Sequence, residues 1–323
     1  MPPIILLFGM PRSGTTWIGK IFDSHPATLY RHEPDSWGLL NGVPLLADPD
    51  QADAYRPVIE PFAASLPMMR QTKVSASMPI FPKRYYSPLT FQLRRLSVVG
   101  SKLVSRLLGE CPAPDFIGPR GLAQTRIVWK SIESAGRLGV IARVLDHSRG
   151  FLLLRHPCGY AASVLRGESQ KRFTGGTPTS EDYDMFRMLL ETRHAQKHGL
   201  TLESLKALTP IERLAWRWAL FNEKALEDIE GLPHCMAVRY EDICEHPLET
   251  VKQMFSFAGL PWDAQTERFI GNSTSQQNDA YYSVFKDPRK AANRWRESLA
   301  PEDVAKVMAI VERTTAGQLY LRG

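Results

Sequence analysis

The sequence predicts an α/β fold in which a central parallel sheet is flanked by helices, and three observations carry that prediction. The apolar run Ile4–Phe8 leads through the loop Gly9-Met10-Pro11-Arg12-Ser13-Gly14-Thr15-Thr16-Trp17 into the helical pattern Ile18–Phe22. Three further apolar runs, Arg126–Trp129, Gly150–Leu154 and Cys235–Val238, are each followed by apolar residues at helical spacing. Polar residues stand at the carboxyl end of each run, where open parallel sheets gather their ligand sites.

The first loop is the most specific element. Its two glycines, Gly9 and Gly14, have the spacing of a nucleotide-triphosphatase loop, in which Lys and then Ser or Thr should follow. Thr15 takes the lysine position instead, and the nearest cation is Arg12. Backbone N–H groups over Ser13, Gly14, Thr15 and Thr16, at a helix start, still favour an anion. The loop therefore suits a phosphorylated group but lacks the lysine that engages the outer phosphates of ATP or GTP. A tight strand-to-helix turn without a ligand is the plainer alternative.

The remaining runs extend the pattern. Arg126–Trp129 ends in Lys130-Ser131 and precedes Leu138, Ile141, Val144 and Leu145; Gly150–Leu154 ends in Arg155-His156-Pro157 and precedes Tyr160–Leu165. Cys235–Val238 ends in Arg239-Tyr240-Glu241-Asp242 and precedes Leu248, Val251, Met254 and Phe255. Residues 40–120 break the alternation, with many prolines and no strand periodicity, and read as an insertion covering the site. Pro210–Glu230 reads as one long helix, and Pro301 to about Arg313 as another.

Composition sets the outer bounds. With 323 residues, 43% of them hydrophobic, the chain can bury the core of one large domain, residues 1–323. The net charge of +6 suits an anionic ligand, but 34 acidic residues offset 40 basic ones and no long basic run points to nucleic acid. The cysteines, Cys111, Cys158, Cys235 and Cys244, have neither metal nor redox spacing and read as reduced thiols. Met1–Met10 does not fit a signal peptide and no apolar stretch approaches a membrane span, so the chain as given is expected to be soluble and cytoplasmic. Nothing in it sets an oligomeric state.

Pro11 to Trp17 resembles the 5′-phosphosulfate loop of sulfotransferases that use 3′-phosphoadenosine-5′-phosphosulfate (PAPS), matching Pro-(Lys/Arg)-Ser-Gly-(Thr/Ser)-(Thr/Ser)-(Trp/Phe) throughout. The resemblance implies a P-loop-like sulfotransferase fold, PAPS as donor, 3′-phosphoadenosine-5′-phosphate as product, and Arg12 and Trp17 among the donor-binding residues. It assigns the 3′-phosphate to Arg155 and Ser163, eight residues apart; guanidinium and hydroxyl groups are suited to that work. Lys130 matches the lysine of the cytosolic Lys-x-His triplet, but Lys130-Ser131-Ile132 has no histidine. The base is then sought in Tyr30-Arg31-His32-Glu33-Pro34, because carbohydrate sulfotransferases often carry Glu-Pro here. Glu33 is the leading candidate and His32 the second. The structural alternative has Glu33 pairing with Arg31 or capping a turn.

Val238-Arg239-Tyr240-Glu241-Asp242 resembles a further family element whose tyrosine lies near the adenine; Tyr240 is either that or a core residue, with Glu241 or Asp242 in a structural ion pair. Lys286-Asp287-Pro288-Arg289-Lys290, before Trp295, resembles more loosely the late basic loop that closes on the 3′-phosphate, which offers Arg289 and Lys290. An anchor such as the family's Golgi members carry is not expected within the chain as given, and a longer chain could carry one. The implied reaction moves a sulfuryl group to a hydroxyl acceptor, a sugar or other aliphatic alcohol being favoured, and requires no metal. Two other classes remain: a P-loop kinase, for which the loop lysine is missing, and a catalytically silent nucleotide-binding module.

Two patterns stand outside this scheme. His194 and His198 have the spacing of a two-histidine metal face, but Ala195 stands where a metalloprotease glutamate belongs. Leu89, Leu93, Leu96, Leu103 and Leu107 form a helical stripe beside Arg94, Arg95, Lys102 and Arg106. Core packing under a solvated basic face is the favoured reading of that stripe, with contact to a membrane or a lipid-like acceptor as the alternative.

Overall fold

The computed structural model describes residues 3–38, 40–170, 176–275 and 287–321. Five strands form one parallel sheet: β1 (Ile4–Gly9), β2 (Thr28–His32), β3 (Arg126–Ser131), β4 (Arg149–Leu154) and β5 (Cys235–Arg239), in the order β2-β3-β1-β4-β5. The four apolar runs are strands to within a residue or two. β2 was not foreseen as a strand.

Helices used below are α1 (Thr15–Ser24), α2 (Pro34–Gly38), α3 (Ala52–Ser65), α4 (Pro88–Leu108), α5 (Leu138–Val144), α6 (Pro157–Ser169), α7 (Pro210–Ile229), α8 (Tyr240–Glu245), α9 (Pro247–Phe257), α10 (Ala264–Ser275), α11 (Pro288–Asn293) and α12 (Pro301–Val311). The long helix expected at Pro210–Glu230 is α7; Thr209 and Glu212 form a capping box at its start, and Pro210 sits where its missing N–H costs nothing.

Successive strand residues face opposite sides, and both sides are covered, which is why the strands read as unbroken apolar runs. Ile5, Leu7, Val128, Phe151 and Leu153 pack with Ile18, Ile21 and Phe22 of α1 and with Val251 and Phe255 of α9. Leu6, Phe8, Ile127, Trp129 and Leu152 pack on the other side with Ile59 of α3, Val140 and Ile141 of α5, and Ala225 of α7. The helix after β1 and the helix after β3 thus lie on opposite faces. Their divergence opens a crevice at the carboxyl ends of the central strands.

Residues 40–120 contain helices and irregular chain, with one isolated bridge between Gln71 and Pro112. Two buried charge clusters tie this segment to the sheet. Lys20 of α1 donates to Asp23 (2.6 Å) and to the carbonyls of Ser77 (2.7 Å) and Pro79 (2.9 Å), and Lys83 reaches Asp23 from the other side (3.0 Å). Burial alone would raise the Asp23 carboxyl, but Lys20 and Lys83 outweigh it and hold it low. Arg31 of β2 pairs with Asp115 (2.6 Å), which also meets Arg94 of α4 (3.2 Å).

His25, between α1 and β2, is fully buried and uses both ring nitrogens. Nδ1 accepts from the Ala27 N–H (3.1 Å), so Nε2 carries the proton toward the Pro261 carbonyl (3.0 Å). A second proton would break the Ala27 bond. Burial, partly opposed by that carbonyl and by Asp263, lowers the ring from 6.5 to about 4. The unfolded chain therefore binds a proton that the folded chain refuses between these values, so stability is full above 6.5 and is lost as pH falls through the window. We expect His25 to remove on the order of 1–2 kcal/mol between pH 6.5 and about pH 5. Urea unfolding at both pH values should show a smaller loss for His25→Gln than for the native chain; equal losses would contradict this assignment.

Candidate active site

The end of β1 builds the first part of the site. β1 ends at Gly9 and the chain turns through Met10–Gly14, where Ser13 closes the loop with its N–H (3.1 Å) and hydroxyl (2.7 Å) both on the Met10 carbonyl. Gly14 has φ 86°, and a Cβ there would lie 2.3 Å from the Tyr240 ring, so both conformation and space require glycine. α1 begins at Thr15 with no side-chain cap, unlike α4 (Ser87) or α11 (Asp287). The Trp17 N–H donates to the Gly14 carbonyl (3.1 Å), and the N–H groups of Thr15 and Thr16 precede that first bond, at the carboxyl end of β1.

β2 and β3 place the second part. Their register sets His32 beside Lys130, and the Glu33 N–H continues the ladder to the Lys130 carbonyl (2.7 Å). Lys130 Nζ then donates to Glu33 Oε1. The ammonium is buried while the Glu33 side chain keeps 20% of its surface open. Desolvation lowers the Lys130 ammonium, Glu33 opposes that shift, and the Arg12 charge adds to it, so Arg12 and Lys130 share one field. His32 lies beside them: Nε2 is 3.7 Å from Glu33 Oε1, and Nδ1 is 3.0 Å from the Tyr30 hydroxyl. Burial, then the charges of Lys130, Lys20 and Lys102, push the His32 ring well below its ordinary value and keep it neutral at pH 7.

Arg12 (φ 74°) and Glu33 (φ 49°) are two of the three non-glycine residues with left-handed backbone among the described residues. Such a conformation costs roughly 1–3 kcal/mol each. That strain falls on a loop arginine and on a carboxylate that meet at one crevice.

The third part comes from β4 and α6. Arg12 Nε donates to Ser163 Oγ (3.0 Å), and Arg155 donates to the carbonyls of Arg12 (2.8 Å) and Ala291 (3.0 Å). Arg155 thereby links the β1 loop to α11, the helix carrying Arg289 and Lys290. Its Nε is buried without a hydrogen-bond partner among the described residues. The Tyr240 ring is buried against Gly14, stands edge-on to Trp17 and lies under the Arg155 guanidinium (5.1 Å), so it has the core position that the sequence left open. Asp242 pairs with Arg239 (2.6 Å), and Glu241 accepts the His156 N–H (3.0 Å).

The structure therefore brings Arg12, Ser13–Trp17, His32, Glu33, Lys130, Arg155, Ser163 and Tyr240 to one end of the sheet. Arg289 and Lys290 are exposed at the start of α11, where the Arg289 guanidinium donates to the Glu245 carbonyl (2.9 Å); Lys286 lies outside the described residues. Two sequence alternatives are corrected. Glu33 does not pair with Arg31, which is turned to Asp115 on the far side of β2. His194 and His198 each face a separate glutamate of α7, Glu227 and Glu223, and belong to helix packing.

One group was missed. Asp35, buried on α2, accepts from Trp129 Nε1 (3.1 Å) and from the hydroxyls of Ser131 and Ser134. It fixes α2 to β3 and so fixes the Glu33 backbone just before it. An acid two residues beyond Glu33 and a hydroxyl next to Lys130 were visible in the sequence, but nothing there says that they meet.

A family model for the sulfotransferase family matches residues 3–264, and the chain belongs to that family. Carbohydrate sulfotransferase 2 of Mus musculus is 25% identical over 94% of this chain and 62% of its own length. Carbohydrate sulfotransferase 5 of the same species is 22% identical over 99% of this chain and 80% of its own. Carbohydrate sulfotransferase 3 of Mus musculus is 37% identical over a shorter stretch, 23% of this chain and 16% of its own. The chain thus spans less than two thirds of several curated relatives that it matches. A solved sulfotransferase domain from the curacin biosynthetic pathway aligns over 97% of both chains at 16% identity, with a TM-score of 0.49.

Proposed function

We propose that this chain moves the sulfuryl group of PAPS to a hydroxyl acceptor, a sugar or other aliphatic alcohol, with Glu33 as general base. The observation that carries this reading is the Lys130–Glu33 pair set beside Arg12 at the uncapped start of α1. The donor substrate supplies an activated sulfuryl group; the residues fit it through the open N–H groups of α1 and the orphaned Arg155 Nε. Arg12, Ser13, Gly14, Thr15, Thr16 and Trp17 would hold its 5′ end, and Arg155, Ser163, Arg289 and Lys290 its 3′-phosphate, with Tyr240 supporting the loop.

In the reaction the acceptor oxygen forms a bond to sulfur while the bond from sulfur to the bridging phosphate oxygen breaks. Glu33 takes the acceptor proton. Lys130, Arg12 and the loop N–H groups offset charge on the leaving phosphate. In the resting site Lys130 occupies Glu33; an entering anion competes for that ammonium and frees the carboxylate. His32 neighbours the base and orients it, without the first role. The acceptor class is supported by the named carbohydrate sulfotransferases. Residues 1–323 would act as one domain, with 40–120 covering the acceptor side.

Calorimetry with 3′-phosphoadenosine-5′-phosphate in the absence of metal, against ATP with Mg²⁺, tests the class. Tight binding of the bisphosphate and none of ATP is expected; the reverse would return the chain to phosphoryl transfer. Arg155→Ala should weaken the bisphosphate by about 10- to 100-fold, the range for losing charged hydrogen bonds. Turnover on any hydroxyl acceptor would exclude a silent binding module.

A further inference from the structure

Helix α4 is built inside out. Its inward face is polar: the Arg94 guanidinium donates to the carbonyls of Ala113 (2.9 Å) and Pro114 (2.7 Å), Ser101 to Pro112 (2.8 Å), and Ser105 accepts from the Cys111 N–H (3.2 Å). Val98 is the one fully buried apolar side chain among its described residues. The leucine stripe points the opposite way. Leu89 is 71% exposed, Leu96 69%, Leu103 59% and Leu107 76%, with Leu93 and Val99 also open. Core packing, the favoured reading of this stripe, is thereby overturned: the segment 111–115 offers carbonyls to Arg94 and Ser101 and the Cys111 N–H to Ser105, which selects these residues for the buried face.

A two-turn patch could be incidental, but this stripe runs the length of a helix of 21 residues, about 31 Å. Exposed apolar surface of that extent on a soluble fold marks an interaction face. Its chemistry narrows the occupant. Residues 88–108 contain four cations and no acid. Arg94 is turned inward on Asp115, and Arg95 and Lys102, seven residues apart, lie along one flank of the stripe. A second copy would bring like charges together along such a seam. An anionic lipid surface answers both features, since leucines enter the acyl boundary while the cations meet phosphate headgroups. The helix is not apolar enough to cross a membrane, so it would lie in the interface plane.

We propose that α4 docks this protein on an anionic membrane surface, with Leu89, Leu93, Leu96, Leu103 and Leu107 inserted and the flank of Arg95 and Lys102 on the headgroups. Docking itself does not depend on which group the site transfers.

Vesicle co-sedimentation tests it, with phosphatidylcholine alone and with about one third phosphatidylserine added. The native chain should bind the anionic vesicles, more weakly as salt rises, and Leu96→Glu with Leu103→Glu should reduce binding about tenfold or more. Both leucines are exposed, so circular dichroism and Tm should be unchanged and folding does not confound the result. Failure of the native chain to bind, or equal binding by the double variant, overturns the proposal. A concentration-dependent dimer lost in the double variant, without vesicle binding, overturns it in favour of a second copy.

Discussion

Glu33→Gln should lower kcat by about 10²- to 10⁴-fold, the range for losing a general base, while binding of 3′-phosphoadenosine-5′-phosphate stays within a few-fold of native. The argument begins with geometry. Glu33 is held in a left-handed conformation, its N–H is fixed on the Lys130 carbonyl, and Asp35 pins the helix that follows. That places the carboxylate over the end of β3, one fifth open and in reach of an entering hydroxyl. Glutamine keeps the shape and an oxygen for Lys130 but cannot accept a proton. His32 makes the comparison sharp: burial holds its ring neutral, so it could in principle serve instead. His32→Asn should cost less than about tenfold if its part is orientation through the Tyr30 contact. Single-turnover rates with saturating donor separate the two roles. Full activity in Glu33→Gln, or a larger loss in His32→Asn, would sink the base assignment. Because Lys130 loses its counter-charge in the glutamine variant, unfolding curves should accompany the kinetics.

The contrast between what was readable and what was not follows from the range of the interactions. β1, β3 and β4 are covered on both faces, so their apolar runs announce them, and β5, the half-buried strand at one edge, still carries a short apolar run. β2 is an edge strand with the sequence Thr-Leu-Tyr-Arg-His, and its Arg31 is buried only because Asp115, 84 residues later, meets it. No local pattern carries that information. The phosphate-type loop was legible because a strand, two glycines and a helix start define it within a few residues. The Lys130–Glu33 contact joins positions 97 apart and depends on the β2–β3 register, so it needed the unseen strand. On α4 the period was plain, but periodicity says that two faces differ, not which one is buried. Arg94, Ser101 and Ser105 won the inner face because their partners are polar: the carbonyls of residues 112–114, the Asp115 carboxylate and the Cys111 N–H.

Asp115→Ala should destabilise the fold by about 3–5 kcal/mol, the penalty for breaking a buried ion pair from one side. The carboxylate is 3% exposed and faces two buried guanidiniums, Arg31 at 2.6 Å and Arg94 at 3.2 Å. Arg31 also donates to the carbonyls of Leu66 (2.7 Å) and Pro67 (2.8 Å), and Arg94 to those of Ala113 and Pro114. Carbonyls alone cannot neutralise two cations out of water. Against a total of about 5–15 kcal/mol, the loss is a large share of the stability. A Tm decrease on the order of 10 °C is expected by differential scanning fluorimetry. Asp53→Ala, which removes an exposed partner of Arg56, should leave Tm unchanged. The triad also lies one residue from His32 and two from Glu33, so Asp115→Ala should lower kcat at temperatures where the chain is still folded. Replacing Arg31, Arg94 and Asp115 together by Met, Met and Leu should recover much of the stability, because the desolvated charges leave with their partners. If Asp115→Ala shifts Tm no more than Asp53→Ala does, the cluster is not what holds residues 40–120 against β2.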